Sequence, residues 1–202
     1  MFYDATINDH GLPHDPFKAI VTPRPIGWIT ALSAKGEINL SPYSFFNAVS
    51  DNPHMVAFSS GGRKDAVTFI EETKEFVCNL ATWDLRDQMN ATSAVLPRGA
   101  NEMIHAGLTA APSTLVKPPR VAEAPAALEC KWLQTVPLTP LDGGDPAYWL
   151  VVGQVVGIYI DDRFIVNGLV DTAAMQPIAR AGYRDYFVST AETKFSIRRP
   201  GT

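Results

Sequence analysis

The sequence predicts a mainly β, β-rich α+β fold: a Greek-key type antiparallel barrel, closed or nearly closed, with short flanking helices. Three observations carry that expectation. Sixteen prolines and fourteen glycines in 202 residues imply many turns and few long helices. Short apolar runs bounded by turn residues recur along the chain, and few segments change to helical spacing. A barrel also removes the sheet edges that a strand-dominated order would otherwise expose.

A single core can absorb this length, so 1–202 reads as one domain, with 1–19 as an irregular arm punctuated by Gly11, Pro13 and Pro16. Ile26–Ser33 reads as a strand, Ala34–Glu37 as a tight turn and Ile38–Leu40 as the returning strand of a hairpin. Ser44–Val49 is a further short strand, Asp51-Asn52-Pro53 a turn, and Met55–Phe58 an apolar strand ending at Ser59-Ser60-Gly61-Gly62. From Lys64 the period changes: Ala66, Val67, Phe69 and Ile70 recur at helical spacing with Glu71, Glu72 and Lys74 opposite, giving an amphipathic helix over Lys64–Thr73. Phe76–Leu80 is strand again, and Trp83–Thr92 a second helix with Asp84 or Thr82 as cap. Residues 94–125 are proline-rich and irregular, with one helical turn near Asn101–Ala106. Ala126–Val136 and Tyr148–Ile160 are the longest strands and pair antiparallel; one or two last strands fall within Ile178–Val188 and Lys194–Ile197.

Composition narrows the function. A net charge of −4 argues against a nucleic-acid binder, so an anionic ligand must be held by local cations. No run of about 18 apolar residues supports a membrane helix. Met1-Phe2-Tyr3-Asp4 lacks the basic and apolar regions of a secretory signal, which makes the cytoplasm the expected compartment. Cys78 and Cys130 sit in apolar strand-like runs and read as two buried thiols. Without Cys-x-x-Cys, no metal site is expected. His10, His14, His54 and His105 are scattered, and no Ser/His/Asp constellation is visible, so no catalytic side chain is assigned.

The chemistry-bearing stretch runs from Arg24 to Lys64. Ser59-Ser60-Gly61-Gly62-Arg63-Lys64-Asp65 places a glycine turn between a strand and a helix. Free N–H groups of a first helical turn, two cations and two hydroxyls suit a phosphate. It is neither a Walker loop nor a Gly-x-Gly-x-x-Gly turn, and a plain strand-to-helix turn with solvated Arg63 and Lys64 is the alternative. Thr30, Ser44 and Asn47 offer donors and acceptors for a polar-edged ring, with Trp28, Phe45 and Phe46 able to pack beside it. On a strand, Phe45 points away from Ser44 and Phe46, so at least one of these phenylalanines is ordinary core. A flat heterocycle bearing a phosphate, flavin mononucleotide (FMN), suits the combination.

These segments resemble the flavin reductase-like family of FMN-binding split-barrel proteins. The resemblance runs in order through Arg24–Trp28, Ser41–Asn47, Phe58–Asp65, Ile70–Thr73, Phe76–Leu80 and Gln88–Ser93, then through Ala106–Thr109, Pro118–Val121 and Ala127–Cys130. It implies a six-stranded split barrel forming a homodimer with FMN at the interface. It also implies that Ser59–Asp65 hold the phosphate, that Thr30 and Ser44–Asn47 line the ring, and that Arg24 or Tyr183 and Tyr186 close the pocket. Relatives often carry Ser or Thr after the Lys-Asp pair, where this chain has Ala66. The expected activity is NAD(P)H-dependent flavin reduction, the nicotinamide stacking transiently because no Rossmann fingerprint is present, with a partner monooxygenase as one destination for the electrons. Two other readings stay open: a non-catalytic FMN-binding electron carrier, and a dimeric interaction or haem-binding module.

Overall fold

Strands Ile38–Tyr43 and Phe46–Asp51 are separated only by Ser44 and Phe45, yet they form the two opposite edges of one seven-stranded sheet. Three residue steps span at most about 11 Å. The sheet must therefore curl until its edges meet. The computed structural model, which describes residues 1–201, shows the elements that achieve this.

In chain order these are α1 (Phe17–Ile20), β1 (Arg24–Pro25), β2 (Gly27–Leu32), β3 (Ile38–Tyr43), β4 (Phe46–Asp51), β5 (His54–Gly61), α2 (Asp65–Thr73) and β6 (Glu75–Leu80). There follow α3 (Arg86–Ala91), α4 (Glu102–His105), the short pair β7 (Ala110–Ala111) and β8 (Arg120–Val121), and the long strands β9 (Ala126–Pro137) and β10 (Tyr148–Ile160). The chain closes with β11 (Ile165–Val166), β12 (Leu169–Val170), α5 (Thr172–Met175), β13 (Ile178–Arg180) and β14 (Tyr186–Val188). The main sheet runs β3-β2-β6-β9-β10-β5-β4, with each pairing antiparallel.

The mainly β fold class stands, and the barrel is split: β3 and β4 are not hydrogen-bonded to each other. Side chains seal the seam instead. A Cβ on Gly27 would lie 2.6 Å from the Phe46 ring, so only glycine lets that ring fold against β2. Seven strands rather than six are paired, because the break at Ser44-Phe45 sends the chain to the other edge.

Strand β2 is buried on both faces, and successive residues serve different cores. Ile29 joins Phe58, Phe76, Val151 and the apolar face of α2 inside the curl. Trp28 joins Leu40, Met89, Met103, Val121 and Ile178 beneath α3, α4 and the 106–124 segment. Cys78 and Cys130 are buried free thiols, and burial raises the Cys78 pKa.

Several boundaries differ from expectation. Strand β3 continues through Pro42, which an edge strand tolerates because one side of its ladder is unpaired. Strand β5 carries on through Ser59-Ser60-Gly61, leaving Gly62–Lys64 as the turn. Helix α3 starts at Arg86 without a side-chain cap. Neither Thr82 nor Asp84 caps it: Thr82 bridges Pro177, and the Trp83 N–H donates to the Gln176 carbonyl at 2.9 Å. Lys194–Ile197 forms no strand, and Phe195 and Ile197 stay exposed there. Among the described residues, no helix is long and apolar enough to cross a membrane.

Candidate functional site

Strand β5 delivers the chain to Gly62, whose φ of +84° reverses it into α2. Lys64 stands at the N-cap position with extended backbone and no capping side chain. The intrahelical ladder begins with Thr68 N–H to Lys64 O at 3.1 Å, so the earlier N–H groups of α2 have no acceptor within the helix.

Beside that helix end lies a cavity of about 390 Å³. Lys64 and Asp65 form one wall; Asn39, Ser41, Pro42 and Tyr43 of β3 form another; Thr92–Leu96 close a third, and Glu102 sits at its base. Asn39 and Ser41 share a face of β3 while Leu40 between them enters the core. Helix α4, capped by Asn101, holds the Glu102 carboxylate against β3. That carboxylate accepts from Asn39 Nδ2 at 2.9 Å and from the Leu40 N–H at 3.0 Å. Burial raises its pKa above the usual carboxylate value, and the nearby Asp65 charge adds to the rise.

The Tyr43 hydroxyl approaches Ser60 without reaching hydrogen-bond geometry, and burial pushes its pKa up to about 12. Thr92 is fixed from behind: its hydroxyl accepts from Trp28 Nε1 at 2.9 Å and donates to the Met89 carbonyl at 2.7 Å. Arg63 is paired with Glu71, and Asp65 lies 3.7 Å from Arg98. Lys64 makes no ion pair among the described residues and is the cation facing the cavity. An uncapped helix N-terminus, one unpaired ammonium and the Ser41 hydroxyl, held by a 3.4 Å contact to Asn39 Oδ1, fit a phosphate monoester, while the Ser93 hydroxyl donates to the Asn90 carbonyl at 2.6 Å. Pro42, Tyr43, Val95 and Leu96 supply apolar surface beside it.

The structure brings Lys64 and Asp65 into this cavity and places the other expected residues elsewhere. Arg63 is half-exposed beside it. Ser60 is fully buried, its hydroxyl donating to the Gly62 carbonyl at 2.8 Å, and Gly61 ends β5 against Tyr148. Ser59 and Phe45 line a separate groove with Phe17 and Tyr148. Ser44 is part-buried in the seam link, and Asn47 is exposed on β4, its Oδ1 accepting from the Ala48 N–H at 2.9 Å. Thr30 is fully buried and accepts from Asn79 Nδ2 at 2.9 Å. The Arg24 guanidinium donates to the carbonyls of Lys18, Val21 and Ala181, tying the N-terminal arm to the β13 end. Tyr183, at φ +53°, is half-exposed with its ring 5.6 Å from His14.

The sequence reading lines the ring with Thr30, Ser44, Phe45 and Asn47, whereas the polar wall of this cavity comes from Asn39 and Ser41 of β3. After the seam the chain leaves β3 for β4, which pairs with β5, while Asn39 and Ser41 stay on β3 beside the start of α2. Polar residues alternating with Leu40 were the available signal. Glu102 gave none, since only tertiary packing carries it to β3, while Ser93 ends the Gln88–Ser93 segment of the resemblance.

A curled antiparallel sheet split at one seam defines a split-barrel class of protein. The flavin reductase like domain family matches residues 20–173, and this chain belongs to that family. An Aquifex aeolicus (strain VF5) protein is 34% identical over 184 residues, covering 88% of this chain and 90% of its own. The fold is similar to that of nitrilotriacetate monooxygenase component B from Bacillus cereus, with TM-score 0.88, 26% identity and 98% of each chain covered. It is also similar to 2-nitrobenzoate 2-nitroreductase from Pseudomonas fluorescens, with TM-score 0.84, 24% identity, and 98% of this chain and 96% of that chain covered.

Proposed function

We propose that the chain is a single-domain FMN-dependent oxidoreductase that accepts hydride from NAD(P)H and passes the electrons onward, working as a homodimer. The observation that carries this reading is one cavity joining the uncapped α2 N-terminus and Lys64 to the polar face of β3. The α2 N–H groups and Lys64 hold the phosphate, with the Ser41 hydroxyl beside them. Glu102 orients the Asn39 amide and the β3 backbone, which meet the polar edge of the ring. Pro42, Tyr43 and Leu96 exclude water from its apolar side.

Bound flavin supplies the two-electron chemistry, so no side-chain acid or base is required for the hydride step. The chain contributes affinity, orientation and a low-dielectric setting for the charge that accompanies reduction. The cavity opens to solvent on one side, where a second subunit would cover the ring. Likeness to a monooxygenase component B supports an oxygenase as the recipient of the electrons.

Absorbance and anaerobic reduction test the proposal. The purified chain reconstituted with FMN should show flavin bands in the blue and near ultraviolet that bleach with NADH or NADPH. Bands that bleach with dithionite but with neither nucleotide would reject the reductase reading in favour of an electron carrier. No flavin bands after reconstitution would reject both.

A further inference from the structure

A second cavity, of about 370 Å³, lies between α3 and the β13–β14 hairpin and shares no lining residue with the Lys64 cavity. Its size is within the range of small-molecule sites. Aromatic side chains dominate the walls: Trp83 on one side, Tyr186 and Phe187 on the other. All three are large and substantially solvent-exposed, at 46%, 38% and 55% respectively. Met89, Ile178 and Val188 complete its apolar lining.

Cations surround those rings. The Arg86 guanidinium lies 4.1 Å from the Trp83 ring centroid, and its Nη1 donates to the Trp83 carbonyl at 2.7 Å. Arg180 lies 4.6 Å from the Tyr186 centroid and donates to its hydroxyl at 2.6 Å. Arg184 lines the cavity and makes no ion pair or hydrogen bond among the described residues. The carboxylate in the lining is Asp87, which lies 3.6 Å from Arg86 and is itself 84% exposed. The local balance is positive in a chain whose net charge is −4.

Both walls are fixed by backbone bonds. Trp83 N–H donates to the Gln176 carbonyl at 2.9 Å, Ile178 N–H to the Ala81 carbonyl at 3.0 Å, and Ala181 N–H to the Asp185 carbonyl at 3.0 Å. The site is therefore preformed, which lowers the ordering cost of binding. A phosphate would find no long helix N-terminus here, because α3 has six residues and its approach is through side chains. Flat aromatic walls with an unengaged guanidinium suit a ring carrying a carboxylate.

We propose that this cavity is a binding site for a planar aromatic carboxylate, its ring held between Trp83 and Tyr186 and its carboxylate on Arg184. The site goes beyond the flavin reading and is tested independently of it. Isothermal titration of the full chain with 1-naphthoate should give saturable one-to-one binding. 1-Naphthamide, which lacks the charge, and cyclohexanecarboxylate, which lacks the flat ring, should bind about tenfold more weakly or worse, as loss of a charge-assisted bond or an aromatic contact implies. Arg184→Gln, a change on an exposed turn, should weaken 1-naphthoate about tenfold while leaving the thermal melt unchanged. Trp83→Leu should weaken it similarly, and saturating FMN should leave it unaffected. Absence of saturable heat at roughly millimolar 1-naphthoate, equal binding by Arg184→Gln, or competition by FMN would overturn the assignment.

Discussion

Replacing Asn79 by leucine tests whether one buried amide organises the floor of the split barrel. Asn79 is 2% exposed, and its Nδ2 donates to the Trp28 carbonyl at 3.0 Å and to Thr30 Oγ1 at 2.9 Å. Its Oδ1 accepts from the Val121 N–H at 2.7 Å, tying the 106–124 segment to the sheet. Leucine keeps the number and branching of the side-chain heavy atoms and removes all three bonds. Two lost neutral bonds cost roughly 0.5–1.5 kcal/mol each, and a buried N–H left without an acceptor costs roughly 1–3 kcal/mol. The sum is about 2–6 kcal/mol, with a midpoint near 4. With a urea m-value near 2 kcal/mol/M, the unfolding midpoint should fall by about 2 M. Equilibrium urea denaturation followed by circular dichroism and tryptophan fluorescence measures this directly. A shift below about 0.5 M would refute the reasoning, since the freed groups would then have found partners within the floor.

Three further outcomes are expected. Gly153→Ala places a Cβ 2.3 Å from Phe76 Cζ and 3.2 Å from the Lys131 carbonyl, and Phe76 is fully buried, so overpacking of about 1–3 kcal/mol should lower the melting temperature by roughly 3–10 °C. Thr92→Val removes the acceptor of Trp28 Nε1, and calorimetry should show about 1–3 kcal/mol of destabilisation. Tyr43 keeps its proton in the folded state up to a pKa of about 12, against 10.0 ordinarily, so the stability it contributes is complete below pH 10 and lost as pH rises towards 12. Tyr43→Phe should remove about 1.4 kcal/mol of that alkaline loss between pH 9 and pH 11, checked by urea midpoints at the two pH values; parallel pH profiles would exclude the effect.

Much of the fold was legible because local pattern and tertiary role coincide. The long strands β9 and β10 carry β-branched and aromatic residues bounded by a Pro/Gly/Asp loop, and the apolar stripe of α2 is the face it buries. The seam was not legible. Nothing local to Ser44-Phe45 states that the next strand pairs with β5 at the other edge of the sheet, and that pairing sets Asn47 opposite Ala57 while Asn39 and Ser41 line the Lys64 cavity. Arg24 illustrates the same difficulty. The resemblance implies that it closes the pocket, and its Nη2 donates at 3.0 Å to the Ala181 carbonyl, 157 residues away, a partner no motif encodes. Polar residues in apolar runs were the more dependable signal, since burial obliges them to find partners. For Thr30 and Asn79 the partner proved to be the other of the pair.

The central claim is that Lys64 and the start of α2 grip the phosphate of a flavin. Paired titrations of the apoprotein with FMN and with riboflavin, which lacks the phosphate, test it most directly. FMN should bind at least about tenfold more tightly than riboflavin, given a charge-assisted contact of ~1.5–3 kcal/mol, and Lys64→Gln should shrink that gap while leaving riboflavin affinity unchanged. Equal affinities for the two flavins in the native chain, or a gap untouched by Lys64→Gln, would contradict the account.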